Sequence, residues 1–144
     1  APAIFAAAGL ERVYLRPVNA IEIDWMLPAP AQGAIMIVGR ENDYATLAAC
    51  KPLNDTATAF CTQLEKDFLR TLMGGCTTPI SALAQIQNGQ LHFAGSLLSV
   101  DGQQKIEVEK QLPVEQATQL GVIAANEILQ NGGKAIVASM NNGK

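Results

Sequence analysis

Residues 80–109 read ISALAQIQNGQLHFAGSLLSVDGQQKIEVE, and this stretch decides the fold. It contains three runs with the alternating apolar pattern of strands, at 80–86, 91–99 and 105–109, although alanines weaken the alternation in the first run. Between the first two runs, Gln87-Asn88-Gly89-Gln90 has the sequence of a tight hairpin turn. The stretch therefore predicts a three-stranded antiparallel meander.

Helices are predicted on both sides of this meander. The first begins at Asp55 or Thr56, both good N-cap residues, and runs to about Met73. Its apolar residues recur at a spacing of four, which gives one face for packing, namely Phe60, Leu64 and Phe68. A second helix is predicted over 113–130, followed by a short apolar tail at 135–138. The region from Thr56 onward is thus predicted to be an open-faced α+β sandwich.

The residues before this region do not form a unit of their own. A helix is predicted over 3–15 and another over 42–49, and the apolar run at 34–38 predicts a strand buried on both faces. Such a strand needs neighbouring strands, and the rest of the sequence offers few candidates. We therefore expect the chain to be a fragment of a longer protein.

Composition excludes several classes of function. The 144 residues are 49% hydrophobic with a formal net charge of −3, and the four arginines are scattered, so duplex nucleic acid is an unsuitable partner. There is no long apolar span for a membrane. Three cysteines without a CxxC pair argue against a zinc site and, with no signal peptide, predict a reduced cytoplasmic setting. No metal site is predicted.

Cys76 is the candidate reactive residue. It follows Gly74-Gly75 and precedes Pro79, so it is predicted to lie on a turn where a large electrophile can reach the thiol. The alternative is that the side chain is a small buried hydrophobe, which is the common role of a cysteine. That packing role is sufficient for Cys50 and Cys61, which lie among apolar residues on predicted helices.

Four other sites have both a structural and a functional interpretation. His92, the sole histidine, is predicted to be a solvated or hydrogen-bonded strand residue. Glu65 and Lys66 are expected on the exposed face of their helix. The loop at 32–33 either offers an amide to a ligand or is a plain turn. Arg12, on an otherwise apolar helix, is either a rim charge or an anion contact.

Several short motifs occur in a fixed order along the chain. They are AAAGLER at 6–12, Leu27-Pro28, Gln32-Gly33-Ala34, Arg40, LEKDFL at 64–69, Gly74-Gly75-Cys76, Pro79-Ile80, Asp101-Gly102 and Leu120-Gly121. Taken together, they resemble the C-terminal half of the porphobilinogen deaminase (hydroxymethylbilane synthase) family. The resemblance covers nearly the whole chain.

This resemblance implies a transferase of tetrapyrrole (heme) biosynthesis. Members of the family condense four porphobilinogens head to tail into hydroxymethylbilane and release ammonia. They use a dipyrromethane cofactor attached by a thioether to the cysteine that corresponds to Cys76, and the match also places Gly75 and Gln32 at the cofactor and Arg12 near substrate carboxylates. A thiolate suits this chemistry, because loss of ammonia from porphobilinogen leaves an electrophile that it can trap.

The resemblance also implies a domain division. Residues 1–32 would end the second domain, 33–55 would return to the first domain and form a linker, and 56–144 would be the C-terminal cofactor-attachment domain. The first two pieces would belong to α/β domains. The catalytic aspartate and most of the arginine cluster would lie upstream, so we expect the chain alone to be inactive and the full-length enzyme to be a monomer.

Three departures from the family pattern and two competing functions accompany this interpretation. Lys66 stands where arginine is usual, Met73 where glutamate is common, and Pro2 where an acidic residue often occurs; lysine keeps the charge but lacks the bidentate fork.

The main alternative is a free-standing α+β small-ligand binding module in which Cys76 is structural. A cysteine-dependent acyl transferase ranks last, because no histidine is credibly placed to pair with the thiol.

Overall fold

The computed structural model describes residues 23, 25–72 and 79–141. The helices are α1 (Tyr44–Cys50), α2 (Thr56–Thr71), α3 (Leu120–Ile128) and α4 (Lys134–Asn141), and the strands are β1 (Ile80–Gln87), β2 (Gln90–Leu98) and β3 (Lys105–Pro113). Short 3₁₀ turns lie at Lys51–Leu53 and Val114–Gln116, and a π-helical turn at Leu129–Gly133 joins α3 to α4.

The three strands form the predicted antiparallel sheet in the order β1-β2-β3. Ala82 pairs with Gly95, and Gly95 pairs with Val108 on the other side. The hairpin between β1 and β2 turns at Asn88 and Gly89, whose φ angles of 52° and 75° are the left-handed values that a two-residue turn of this type requires. The sequence therefore predicted both the strands and this turn correctly.

Helices α2 and α3 cover one face of the sheet and form the core with it. The fully buried side chains include Phe68 from α2, Ile128 from α3, and Phe93 from β2. The rings of Phe68 and Phe93 meet edge to face with centroids 5.4 Å apart. This arrangement confirms the predicted α+β class, with a three-stranded antiparallel sheet packed against helices.

The predicted helix over 113–130 is wrong at its start. Strand β3 continues to Pro113, since Lys110, Gln111 and Leu112 still have partners along β2, and α3 begins only at Leu120. The predicted tail at 135–138 is also wrong, because these residues belong to α4. A glycine in the left-handed region, Gly132 with φ 108°, breaks the helix before α4 resumes.

Residues 34–54, between loop 28–33 and α2, are mostly exposed. Residues 34–38 were expected to form a strand buried on both faces, yet within the described part of the chain they pair with no strand, and the Ile35 side chain is 94% exposed. The predicted helix at 42–49 is confirmed as α1, where Asp43 accepts a hydrogen bond from the Thr46 backbone N–H at 3.1 Å. The helix predicted at 3–15 lies outside the described residues.

Candidate functional site

Three of the predicted site residues, Arg12, Gly75 and Cys76, lie outside the described residues, and the elements that flank Cys76 are well defined. Helix α2 ends at Thr71, and the next side chain, Leu72, is fully buried. Strand β1 begins at Ile80, which is also buried. The chain on either side of the Cys76 segment is therefore fixed in the hydrophobic core.

Gln32, the remaining predicted site residue, is exposed on a compact loop formed by residues 28–33. The side-chain carbonyl oxygen of Gln32 accepts a hydrogen bond from the Ala29 backbone N–H at 3.0 Å. The backbone N–H of Gln32 donates to the Ala29 carbonyl, also at 3.0 Å. Ala31 in the same loop has a φ of 60°, in the left-handed region that residues with a Cβ rarely adopt. The side chain of Gln32 thus closes its own loop.

A buried carboxyl group joins this loop to the domain. Glu65 on α2 is 5% exposed; one of its oxygens accepts from the Ala31 N–H at 2.6 Å and the other from the Ala84 N–H of β1 at 2.8 Å. A further contact lies beside it, where the Ala82 N–H donates to the Pro28 carbonyl at 3.0 Å. Loop 28–33 is therefore attached to β1 at Pro28 and to α2 at Ala31.

The expectation that Glu65 lies on the exposed face of its helix is wrong. The buried face of α2 recurs at intervals of three and four residues, and Glu65 falls on it, in the set Cys61, Leu64, Glu65, Phe68 and Leu72. This spacing was visible in the sequence. What the sequence could not show was the pair of backbone N–H groups that allows a carboxyl group to be buried there.

An open cleft of about 460 Å³ lies between loop 28–33, α2 and the end of β1. Gln32 and Gly33 line one side of it, and Cys61 and Glu65 line another. Burial raises the pKa of the Cys61 thiol, and the carboxyl groups of Glu65 and Asp55 raise it further. A raised pKa disfavours the thiolate, and the side chain is 8% exposed, in keeping with the predicted packing role of Cys61.

His92 lies away from this cleft, on the sheet face opposite α2 and α3. It is half-buried in β2, level with Gln85 of β1 and Gln111 of β3, in agreement with its prediction as an ordinary strand residue. In the described part of the chain, no cluster of three or more His, Cys, Asp or Glu side chains is placed to hold a metal ion. Within those same residues, no helix combines the length and apolarity needed to cross a bilayer.

Two family models match the chain in succession. Residues 59–130 match the model described as "Porphobilinogen deaminase, C-terminal domain", and residues 1–48 match "Porphobilinogen deaminase, dipyromethane cofactor binding domain". The chain belongs to the porphobilinogen deaminase family. The match over 59–130 contains most of α2, the whole sheet and Cys76, and the match over 1–48 contains Arg12 and Gln32. The resemblance inferred from short motifs is thereby confirmed.

Similar proteins from several bacteria carry the name porphobilinogen deaminase. The one from Chlorobium phaeobacteroides is 42% identical over 120 residues, which cover 80% of this chain and 38% of that protein. Those from Syntrophotalea carbinolica and Chloroherpeton thalassium are each 37% identical and cover 95% of this chain, with 44% and 46% of their own lengths matched. The chain thus spans less than half the length of these relatives.

Proposed function

We propose that this chain is the C-terminal part of a porphobilinogen deaminase. The complete enzyme would condense four porphobilinogens into hydroxymethylbilane with release of ammonia, in the cytoplasm and as a monomer. The observation that carries the proposal is the succession of the two family matches along one chain, at residues 1–48 and 59–130, with the latter lying on an α+β domain of the predicted architecture. Residues 1–32, 33–55 and 56–144 would be the end of the second domain, the return to the first domain with its linker, and the C-terminal domain.

Cys76 is the proposed attachment point of the dipyrromethane cofactor. A thioether at this position would lie between α2 and β1, both of which are anchored in the core by buried residues at their adjoining ends. Gly75 before it removes side-chain bulk next to the sulfur. When bound, the dipyrromethane supplies the pyrrole carbon on which the chain of porphobilinogen units is built.

Gln32 and Arg12 are the proposed polar contacts. Gln32 is exposed and lines an open cleft, and its side-chain amide can donate hydrogen bonds to an acceptor on the cofactor. A guanidinium such as that of Arg12 suits carboxylates, which substrate and product both carry in number. With a net charge of −3, this chain alone is a poor host for such anions, and we expect it to be inactive by itself.

The test is the mass of the natural gene product, isolated from its source, and of its Cys76 peptide. A polypeptide about twice this length, with a dipyrromethane on Cys76 and hydroxymethylbilane production from porphobilinogen, would support the proposal. The Cys76→Ser variant should lose both cofactor and activity. The Cys50→Ser variant, changed at a half-buried cysteine on another helix, should keep both.

The alternative of a small-ligand binding module predicts different results from the same measurements. In that case the natural product would have about the length of this chain, Cys76 would be unmodified, and Cys76→Ser would change only stability. Hydroxymethylbilane production by the 144-residue chain alone would contradict the proposed inactivity of this part.

A further inference from the structure

We propose that Glu65 is a positioning residue that fixes loop 28–33, and with it Gln32, against the C-terminal domain, a role that rests on the proposed function of Gln32. Glu65 makes no contact with substrate in this role. It acts by holding the backbone of the loop through a carboxyl group that belongs to a different element, 34 residues further along the chain.

The carboxyl group of Glu65 is used entirely by backbone N–H groups. It is 5% exposed, and both of its oxygens are occupied by backbone N–H groups, one from the loop and one from β1. Among the described residues, no lysine or arginine forms an ion pair with it. Burying a carboxyl group is costly unless its oxygens are hydrogen-bonded, so these two contacts explain its place in the core.

The loop backbone is strained where it is attached to Glu65. Ala31, whose N–H donates to Glu65, has a φ of 60°. A residue with a Cβ adopts this conformation only when its surroundings impose it. The hydrogen bond to Glu65 on one side and the turn closed by Gln32 on the other supply that constraint, so the loop conformation depends on the carboxyl group.

Gln32 connects the loop to the cleft. Gln32 directly follows Ala31 and lines the cleft that Glu65 also lines. If the loop leaves Glu65, the amide of Gln32 moves with it, because Gln32 is bonded to the loop backbone at Ala29. Placement of Gln32 relative to α2 and β1 is therefore set by Glu65.

The test compares Glu65→Gln with Asp67→Asn in the complete polypeptide. Both variants replace a carboxyl group by an amide on α2, but the carboxyl group of Asp67 accepts hydrogen bonds only from its own helix, at Gln63 and Arg70. A glutamine has one acceptor oxygen, and Ala84 is fixed in β1, so Ala31 loses its acceptor. Hydrogen–deuterium exchange of the Ala31 amide should quicken about tenfold to a hundredfold in Glu65→Gln and stay unchanged in Asp67→Asn.

A double-mutant cycle with Gln32→Ala tests the link to activity. If Glu65 acts through Gln32, each single change lowers turnover about tenfold and the double change lowers it no further. Multiplying effects would show that Glu65 acts independently of Gln32, and an unchanged turnover in folded Glu65→Gln would show that Glu65 serves stability alone; either result would overturn the proposal. A wrong proposed function would give a different result: the unaltered polypeptide would have no activity, while hydrogen–deuterium exchange would still show whether Glu65 holds the loop.

The unaltered protein provides a check that needs no substitution. The Ala31 and Ala84 N–H groups both donate to the carboxyl group of Glu65. The Ala31 amide should therefore exchange at least about tenfold more slowly than in an unstructured chain. Exchange of Ala31 at the rate of an unstructured peptide would overturn the proposal even if Glu65→Gln failed to fold.

Discussion

Replacing Gly121 by alanine should destabilise the protein strongly, although alanine is the better helix former. Gly121 lies in α3 where this helix meets the backbone of α2. A Cβ atom there would stand 2.9 Å from the Leu64 carbonyl carbon, 3.1 Å from the Phe68 nitrogen, and closer still to the Leu64 carbonyl oxygen. These atoms belong to a helix backbone, so no side-chain rotation can relieve the contact.

The size of the effect follows from two opposed contributions. Alanine gains up to about 1 kcal/mol in helix propensity over glycine. Normal carbon–carbon contact is about 3.5–4.0 Å, so α3 must retreat from α2 by several tenths of an ångström or more, and overpacking of this kind costs about 3 kcal/mol. The net loss is about 2 kcal/mol in the free energy of unfolding, which corresponds to a melting temperature lower by about 10 °C.

Urea and thermal unfolding followed by circular dichroism would measure this loss. The matched control is Asn126→Ala, which also places an alanine in α3 but at an exposed position, so it should leave stability unchanged or slightly raised. A Gly121→Ala protein as stable as the unaltered one would refute the close approach of α2 and α3.

Three further predictions concern the core, acid stability and thiol reactivity. Gly95→Ala should lower the free energy of unfolding by about 1–3 kcal/mol in urea titrations, because its Cβ would lie 2.6 Å from the buried Phe68 ring; an unchanged midpoint would contradict this packing. The Thr58 N–H donates a hydrogen bond to Asp55 and lowers the pKa of this carboxyl group below 3.8. The stability that Asp55 confers is therefore present above pH 3.8 and lost as the pH falls through the lowered pKa. In acid unfolding experiments, Asp55→Asn should lack this pH-dependent loss of stability. Burial raises the pKa of Cys61, so iodoacetamide at pH 8 should alkylate it at least about tenfold more slowly than glutathione, and equal rates would show that the thiol is accessible.

The parts of the fold that the sequence predicted well are those decided by short-range signals. The Asn88-Gly89 turn fixes the register of β1 and β2, and Asp55 caps α2 with a hydrogen bond of 2.7 Å to Thr58. The start of α3 was predicted too early because the chain after Pro113 first forms a 3₁₀ turn. A turn this short has no apolar periodicity by which the sequence could indicate it. Strand pairing, which depends on distant partners, also extended β3 beyond its alternating residues.

The candidate site was harder to predict, for two physical reasons. The apolar run that contains Ile35 has the composition of a buried strand, but burial depends on neighbours, and in the described part of the chain Ile35 has none to pair with. Glu65 was assigned to the surface because a carboxyl group usually stays in water. Its burial depends on two N–H groups, from Ala31 and Ala84, whose positions only the folded backbone determines.

The attachment of loop 28–33 also affects how the sheet can associate. Strand β1 is one edge of the sheet, and an edge strand with open N–H groups is a template on which other chains can pair and aggregate. Here the outward N–H groups of Ala82 and Ala84 are already taken by the Pro28 carbonyl and the Glu65 carboxyl group. The same contacts that hold the loop therefore cover the stretch of this edge at Ala82 and Ala84, and a chain shortened to begin after Gln32 would expose part of that stretch to self-association.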